Sequence, residues 1–192
     1  MNSMNQEVKG KFIMNLPNKL TLIRVVIVPF FVAALMMDFP NHRIVAGILF
    51  IAASLTDLFD GYLARKQGLV TTFGKFADPL ADKLLVNAAL ICFVEQKLLP
   101  SWLVIIIISR DFIISGFRLV ASEQGIVIAA GMSGKIKTVC QMVMSILLIF
   151  HFSGAIFAAL EQIFIWAALI MTVESLLVYL YQNHNVLDLG NM

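Results

Sequence analysis

Apolar residues run along this chain in long blocks separated by short polar breaks. Six blocks approach or reach the ~20 residues that a helix needs to cross a bilayer core. They cover roughly 19–37, 43–64, 79–98, 101–121, 135–153 and 155–181. Blocks of this length read as helices rather than strands. The breaks carry turn formers: Asp38-Phe39-Pro40-Asn41, Leu99-Pro100-Ser101, Ser153-Gly154, and a 122–134 link holding Gly125, Gly131 and Gly134. The first block follows Lys9, Lys11 and Lys19 as a secretory signal would. Arg24 and Pro29 interrupt it, and no soluble domain follows, so it reads as a retained membrane helix. Residues 1–15 mix Met4, Val8, Phe12 and Ile13 with polar residues, which suits either a short interfacial helix or a tail. The expectation is an all-α integral membrane protein with six transmembrane helices in a single domain over 1–192.

Charge then orients the spans. An even number puts both termini on one side. That side's links and span ends carry Lys9, Lys11, Lys19, Arg24, Arg65, Lys66, Lys75, Lys83, Arg110, Arg118, Lys135 and Lys137, against Arg43 and Lys97 opposite. Basic residues stay cytoplasmic, which predicts both termini and the 65–77 and 119–135 links at the cytoplasmic face of the cell membrane. Lys137 reads as ordinary basic decoration of that face. Trp102 and Trp166 read as interfacial anchors, and His42, His151 and His184 as residues at span ends. Glu161 and Glu174 mark a polar contact in the sixth span.

Composition agrees with this solvent assignment. Of the 192 residues 60% are hydrophobic and 14% charged, against about 45–50% and about 25% in soluble domains. A net charge of +2 gives no footprint for nucleic acid. Cys92 and Cys140 lie in apolar stretches and form neither a metal pair nor a disulfide framework; they read as small core or lipid-facing residues.

Four acidic residues stand out. Asp57 and Asp60 end the second span; Asp78 and Asp82 begin the third. An Asp in mid-membrane costs about 2.5–3.5 kcal/mol on insertion scales, less near the interface. Asp57 and Asp60 are three apart and share a helix face, extended by the small residues Gly61 and Ala64; Asp78 and Asp82 are four apart and share another. A short link makes the two spans antiparallel neighbours, so both pairs meet at the cytoplasmic end. Asp78 before Pro79 predicts a helix N-cap followed by proline at the first helical position. Four carboxylates together repel unless divalent cations neutralise them. An oxygen-only donor set suits Mg²⁺, Mn²⁺ or Ca²⁺, and four carboxylates suffice for two ions that clamp a phosphoryl centre.

These residues lie in DLFDGYLARKQGLVTTFGKFADPLADK. The run contains D-x-x-D-G-x-x-A-R, eight residues, then G-x-x-x-D-x-x-x-D, and it resembles the signature of the CDP-alcohol phosphotransferase family at every position. The opening Asn15-Leu-Pro-Asn-Lys-Leu-Thr-Leu-Ile-Arg24 is similar to the N-P-N-x-L-T-x-x-R found across that family, with Leu16 inserted before the proline. The six-span layout matches as well, so the resemblance covers most of the chain. It implies a phosphatidyl transferase that uses CDP-diacylglycerol and two divalent cations, Mg²⁺ or Mn²⁺, and works as a homodimer in the lipid bilayer. It further implies that Asp57 and Asp78 bridge both metals, that Asp60 completes the first site, and that Asp82 binds the second metal and acts as general base. Gly61, Arg65 and Thr71 would contact the nucleotide part of the donor, with Asn18, Thr21 and Arg24 lining the same pocket. Gly permits close backbone approach, and the Arg fork suits phosphate. Interfacial snorkelling is the other reading of Arg24.

The family signature does not name the acceptor. Arg110 and Arg118 are eight residues apart, just over two turns, and face the same way. With Lys135 they could hold a phosphate on the acceptor; an ion pair with Asp111 is the other reading of Arg110. The stretches Ser109-Arg-Asp, Gly116-Phe-Arg118-Leu-Val-Ala121 and Gly134-Lys-Ile-Lys-Thr138 resemble the bacterial members whose acceptor is sn-glycerol 3-phosphate. Arg118 and Lys135, then Arg110, are the expected acceptor-phosphate residues. Inositol phosphate, serine or phosphatidylglycerol would be accepted by the same chemistry. A divalent-cation transporter is the rival of another class, and predicts carboxylates spread through membrane depth.

Overall fold

The computed structural model describes the backbone of residues 16–67, 72–123, 128 and 131–183, and the side chains of 22–56, 83–122, 128 and 131–183. All regular structure among them is α-helical. Six helices follow in order: α1 Leu16–Met36, α2 His42–Gln67, α3 Thr72–Glu95, α4 Ser101–Glu123, α5 Met132–Phe150 and α6 Ala155–Gln182. Five of them fall within a few residues of the apolar blocks. The exception is α3, which starts at Thr72 rather than near Pro79. Asp78 is therefore inside the helix and is not its N-cap. Nothing in Thr72–Ala77 forbids helix, and a proline within a helix removes only one backbone bond while its neighbours hold the rest.

The turns follow local chemistry. At the end of α3, Leu98 N–H donates to Phe93 C=O (2.9 Å) and Lys97 N–H to Val94 C=O (3.0 Å), with Lys97 at φ 60°. This is a Schellman close, in which a left-handed residue satisfies the last carbonyls. Pro100 then bars continuation of α3 and its carbonyl opens α4 by accepting from Leu103 N–H (3.1 Å). α5 ends likewise on His151 at φ 41°. The Nδ1 of His151 is 2.9 Å from Glu161 Oε1, which ties the α5–α6 turn to the second turn of α6. Glu161 thus makes the polar contact expected of it in the sixth span.

α1 packs extensively against both α2 and α3, and α5 against α6; α4 joins through α6 and α3, and α2 touches α5 and α3. The core is one cluster centred on Phe31, Phe50, Phe93, Leu90, Ile107 and Leu148, all at 1% exposure or less. Phe31 and Phe50 rings meet at 5.6 Å. Where α2 crosses α5, a Cβ on Gly47 would run into the Phe150 ring, so only glycine lets these helices approach. Cys92 is buried and Cys140 half-buried, both as free thiols.

Outward faces are apolar: Phe30, Ile48, Ile105, Ile156, Trp166 and Leu177 are all more than half exposed. Among the described residues, α5 and α6 are long and apolar enough to cross a membrane, with mean hydropathy of 1.4 and 2.1, and only a third of each is buried within the bundle. Leu22–Met36 and His42–Thr56 are shorter apolar stretches.

Candidate functional site

Asp57 and Asp60 fall in the second half of α2 and Asp78 and Asp82 in the first half of α3, inside the helices rather than at their ends because α2 runs on to Gln67 and α3 starts at Thr72. Their side chains, with those of Asn18, Thr21, Gly61 and Arg65, lie outside the described residues, as does Thr71 altogether. Among the described residues no group of three His, Cys, Asp or Glu converges. The aspartates are candidate cation ligands on the chemistry of their donor set, carboxylate oxygens alone.

Arg24 is 2% exposed on α1, facing the bundle interior. A lipid-facing, snorkelling arginine would be exposed along its stem, so that reading does not describe it.

The basic residues expected at the acceptor come together. A cavity of about 380 Å³ lies between α3, α4 and α5, and Lys83, Arg110, Arg118, Lys135 and Lys137 all line it. Lys83 is next in sequence to Asp82, which sets this basic pocket beside the aspartate-bearing turns of α3. Among the described residues, the acidic side chain that lines it is Asp111 on α4.

Asp111 organises the pocket. Its carboxylate accepts from Lys137 Nζ at 2.8 Å through each oxygen, and from Arg110 Nη1 at 3.0 Å. Its backbone carbonyl accepts from Lys83 Nζ at 3.0 Å and from Ser115 Oγ at 2.6 Å. Lys137 is 2% exposed, so it is not the basic surface decoration its place after Lys135 suggested. The reason is helical geometry. Lys135 points outward and is exposed, while Lys137, two positions on, falls on the stripe with Gln141 and Ser145 that α5 buries. A lysine there is held only because a carboxylate faces it.

Arg110 makes the ion pair that was its other reading and also lines the cavity. It donates from Nε to Ser175 Oγ at 3.1 Å. Arg118 lies over the Tyr179 ring, 5.7 Å from its centroid. A second cavity of about 300 Å³ between α4, the start of α5 and the end of α6 shares Arg110, Arg118 and Gly134 with the first. Asp111 beside Arg110 was visible as an interruption in an apolar span. Ser175 and Tyr179 were not singled out, although Glu161, Ala168, Thr172, Ser175 and Tyr179 recur at helical spacing and form the buried stripe of α6.

The arrangement gathers basic side chains at one end of an otherwise apolar bundle, beside two helices that carry paired carboxylates. Comparison with known proteins agrees with this chemistry. A CDP-alcohol phosphatidyltransferase family model matches residues 14–174. A Bacillus subtilis (strain 168) protein named CDP-diacylglycerol–glycerol-3-phosphate 3-phosphatidyltransferase is 45% identical over 192 residues, spanning 92% of this chain and 99% of its own. A protein of the same name from Rickettsia bellii is 35% identical over 83% of this chain and 90% of its own. A probable phosphatidylglycerophosphate synthase of Mycobacterium tuberculosis (strain ATCC 25618 / H37Rv) is 41% identical over 84% and 78%. With the model covering most of the chain and the signature intact from Asp57 to Asp82, the protein belongs to the CDP-alcohol phosphatidyltransferase family.

Proposed function

We propose that this protein transfers the phosphatidyl group of CDP-diacylglycerol to sn-glycerol 3-phosphate, releasing CMP and phosphatidylglycerophosphate. The observation that carries the acceptor is the cavity lined, among the described residues, by five basic side chains and the Asp111 carboxylate, with Lys83 next to Asp82 in the chain. Serine offers such a pocket only a singly charged carboxylate, which leaves most of its bases without work. A phosphorylated alcohol engages them, because Arg and Lys bind phosphate by charge-assisted hydrogen bonds.

The reaction is an in-line displacement at phosphorus. The family depends on divalent cations; two of them, held by Asp57, Asp60, Asp78 and Asp82, would neutralise the donor diphosphate when bound. Mg²⁺ and Mn²⁺ suit these oxygens equally. Asp82 takes the proton of the acceptor's 1-hydroxyl. That oxygen bonds to the lipid-linked phosphorus as the bond to CMP breaks. Arg65 stabilises charge on the departing phosphate. Asn18, Thr21, Arg24, Gly61 and Thr71 complete the donor pocket, while Arg118, Lys135 and Arg110 hold the acceptor phosphate.

All six helices cross the membrane in this reading, in one domain spanning 1–192. The outward apolar faces of the bundle support it. The basic residues set the termini and the site at the cytoplasmic face of the cell membrane, so the acyl chains stay in lipid during polar chemistry. A homodimer is the assembly that the family resemblance implies. An acceptor panel with purified protein tests the function. CMP release with glycerol 3-phosphate and not with serine, inositol phosphate or phosphatidylglycerol is expected. Release with serine but not glycerol 3-phosphate would overturn the acceptor, and cation flux into liposomes without CMP production would overturn the enzyme.

A further inference from the structure

The start of α5 is open to a ligand. Its N-cap is Gly131, in extended conformation, and no side chain caps it. The first N–H groups of a helix have no partner within it and favour an anion. Gly131, Ser133 and Gly134 line the second cavity, and no Asp or Glu among the described residues does.

Three side chains from other helices complete the ring. Arg110 is fixed by Ser175 Oγ at Nε and by Asp111 at Nη1. Its remaining nitrogen, Nη2, faces Gly134, lying 3.4 Å from where a Cβ would be. Arg118 lines the same space, and its buried Nε has no hydrogen-bond partner. Tyr179 closes it from the last turn of α6. Tyr179 is 7% exposed, yet its hydroxyl is buried without a hydrogen-bond partner. Its ring is held edge-on by Phe117 (82°) and covered by Arg118, so the hydroxyl is fixed in place. A buried donor left unpaired is costly and calls for an acceptor.

We infer that Tyr179 Oη and the uncapped N-terminus of α5 form, with Arg110 and Arg118, the seat of the acceptor's phosphomonoester. The assignment rests on the function proposed above and locates its phosphate end. Lys135, which lines the first cavity, approaches the same phosphate from that side. Tyr179 serves as a specificity residue, since its hydroxyl donates to a phosphate oxygen that an unphosphorylated alcohol lacks.

Tyr179→Phe keeps the ring packing and deletes only the hydroxyl. One hydrogen bond to a charged group corresponds to about tenfold or more in affinity. The glycerol 3-phosphate KM should rise by about that factor, the CDP-diacylglycerol KM should hold within about twofold, and the melting temperature without acceptor should stay level or rise. The upward shift in melting temperature that saturating glycerol 3-phosphate gives the wild type should shrink, because ligand stabilisation follows affinity. Ser133→Asp is the second variant. It places a carboxylate at the helix start, which suits the helix dipole, and it should keep the fold while weakening glycerol 3-phosphate more than CDP-diacylglycerol. If both variants keep the wild-type glycerol 3-phosphate KM and thermal shift, the assignment is overturned. So is it if Tyr179→Phe lowers the acceptor-free melting temperature and raises both KM values equally, as a structural hydroxyl would. Wild-type protein that neither releases CMP with glycerol 3-phosphate nor is stabilised by it overturns the proposed function itself.

Discussion

Asp111→Leu removes the carboxylate that pairs with Lys137, and the structure sets the cost. The ammonium lies 2.8 Å from both oxygens, with side-chain exposure of 3% for Lys137 and 12% for Asp111. At an effective dielectric of about 20, unit charges about 3 Å apart attract by roughly 5–6 kcal/mol. Desolvation offsets most of that, so the intact pair adds little over apolar residues of like size, whereas deleting one partner costs about 3–5 kcal/mol. Arg110 keeps Ser175 and the cavity, so Lys137 bears most of the loss. At about 2–4 °C per kcal/mol for a chain of this size, the melting temperature should fall by roughly 10 °C. Asp111→Leu with Lys137→Met leaves no charge stranded and should recover most of the loss. Thermal unfolding of the detergent-solubilised single and double variants measures both. A single variant within about 2 °C of wild type, or a double variant no better than the single, would refute the view that Asp111 exists to hold these cations.

Other outcomes follow from the same geometry. Arg118→Ala should raise the glycerol 3-phosphate KM far more than the CDP-diacylglycerol KM in steady-state assays; equal effects would move Arg118 out of the acceptor site. Asp82→Asn should abolish most turnover while retaining donor binding measured by equilibrium titration, and near-normal turnover would remove it as the base. Gly47→Leu should drive α2 from Phe150 and cost about 1–3 kcal/mol as overpacking, read as a lower melting temperature with no selective change in either KM.

The sequence shows much of the fold because apolar blocks of about 20 residues bounded by Pro and Gly leave few alternatives to helices. It misplaces the start of α3 because Asp-Pro is a strong local signal for a helix start, and local signals yield to a helix that continues by its own bonds. Arg110 and Arg118 converge as their spacing implies. Lys137 was misread because counting basic residues by region ignores which face each occupies; its spacing from Gln141 and Ser145 was the usable signal. Tyr179 could not be singled out, since an aromatic near the end of an apolar span ordinarily reads as an interfacial anchor. Only the empty bonding capacity of its hydroxyl, a fact of three-dimensional packing, sets it apart.

The central claim is a cation-dependent transfer onto a phosphorylated alcohol at the end of an apolar bundle. CMP release from CDP-diacylglycerol by the purified protein, with glycerol 3-phosphate present and with or without a chelator, tests it most directly. The account predicts release that needs glycerol 3-phosphate, stops with chelator and returns when Mg²⁺ or Mn²⁺ is added back. Release that persists in chelator, or that is indifferent to glycerol 3-phosphate, would contradict it.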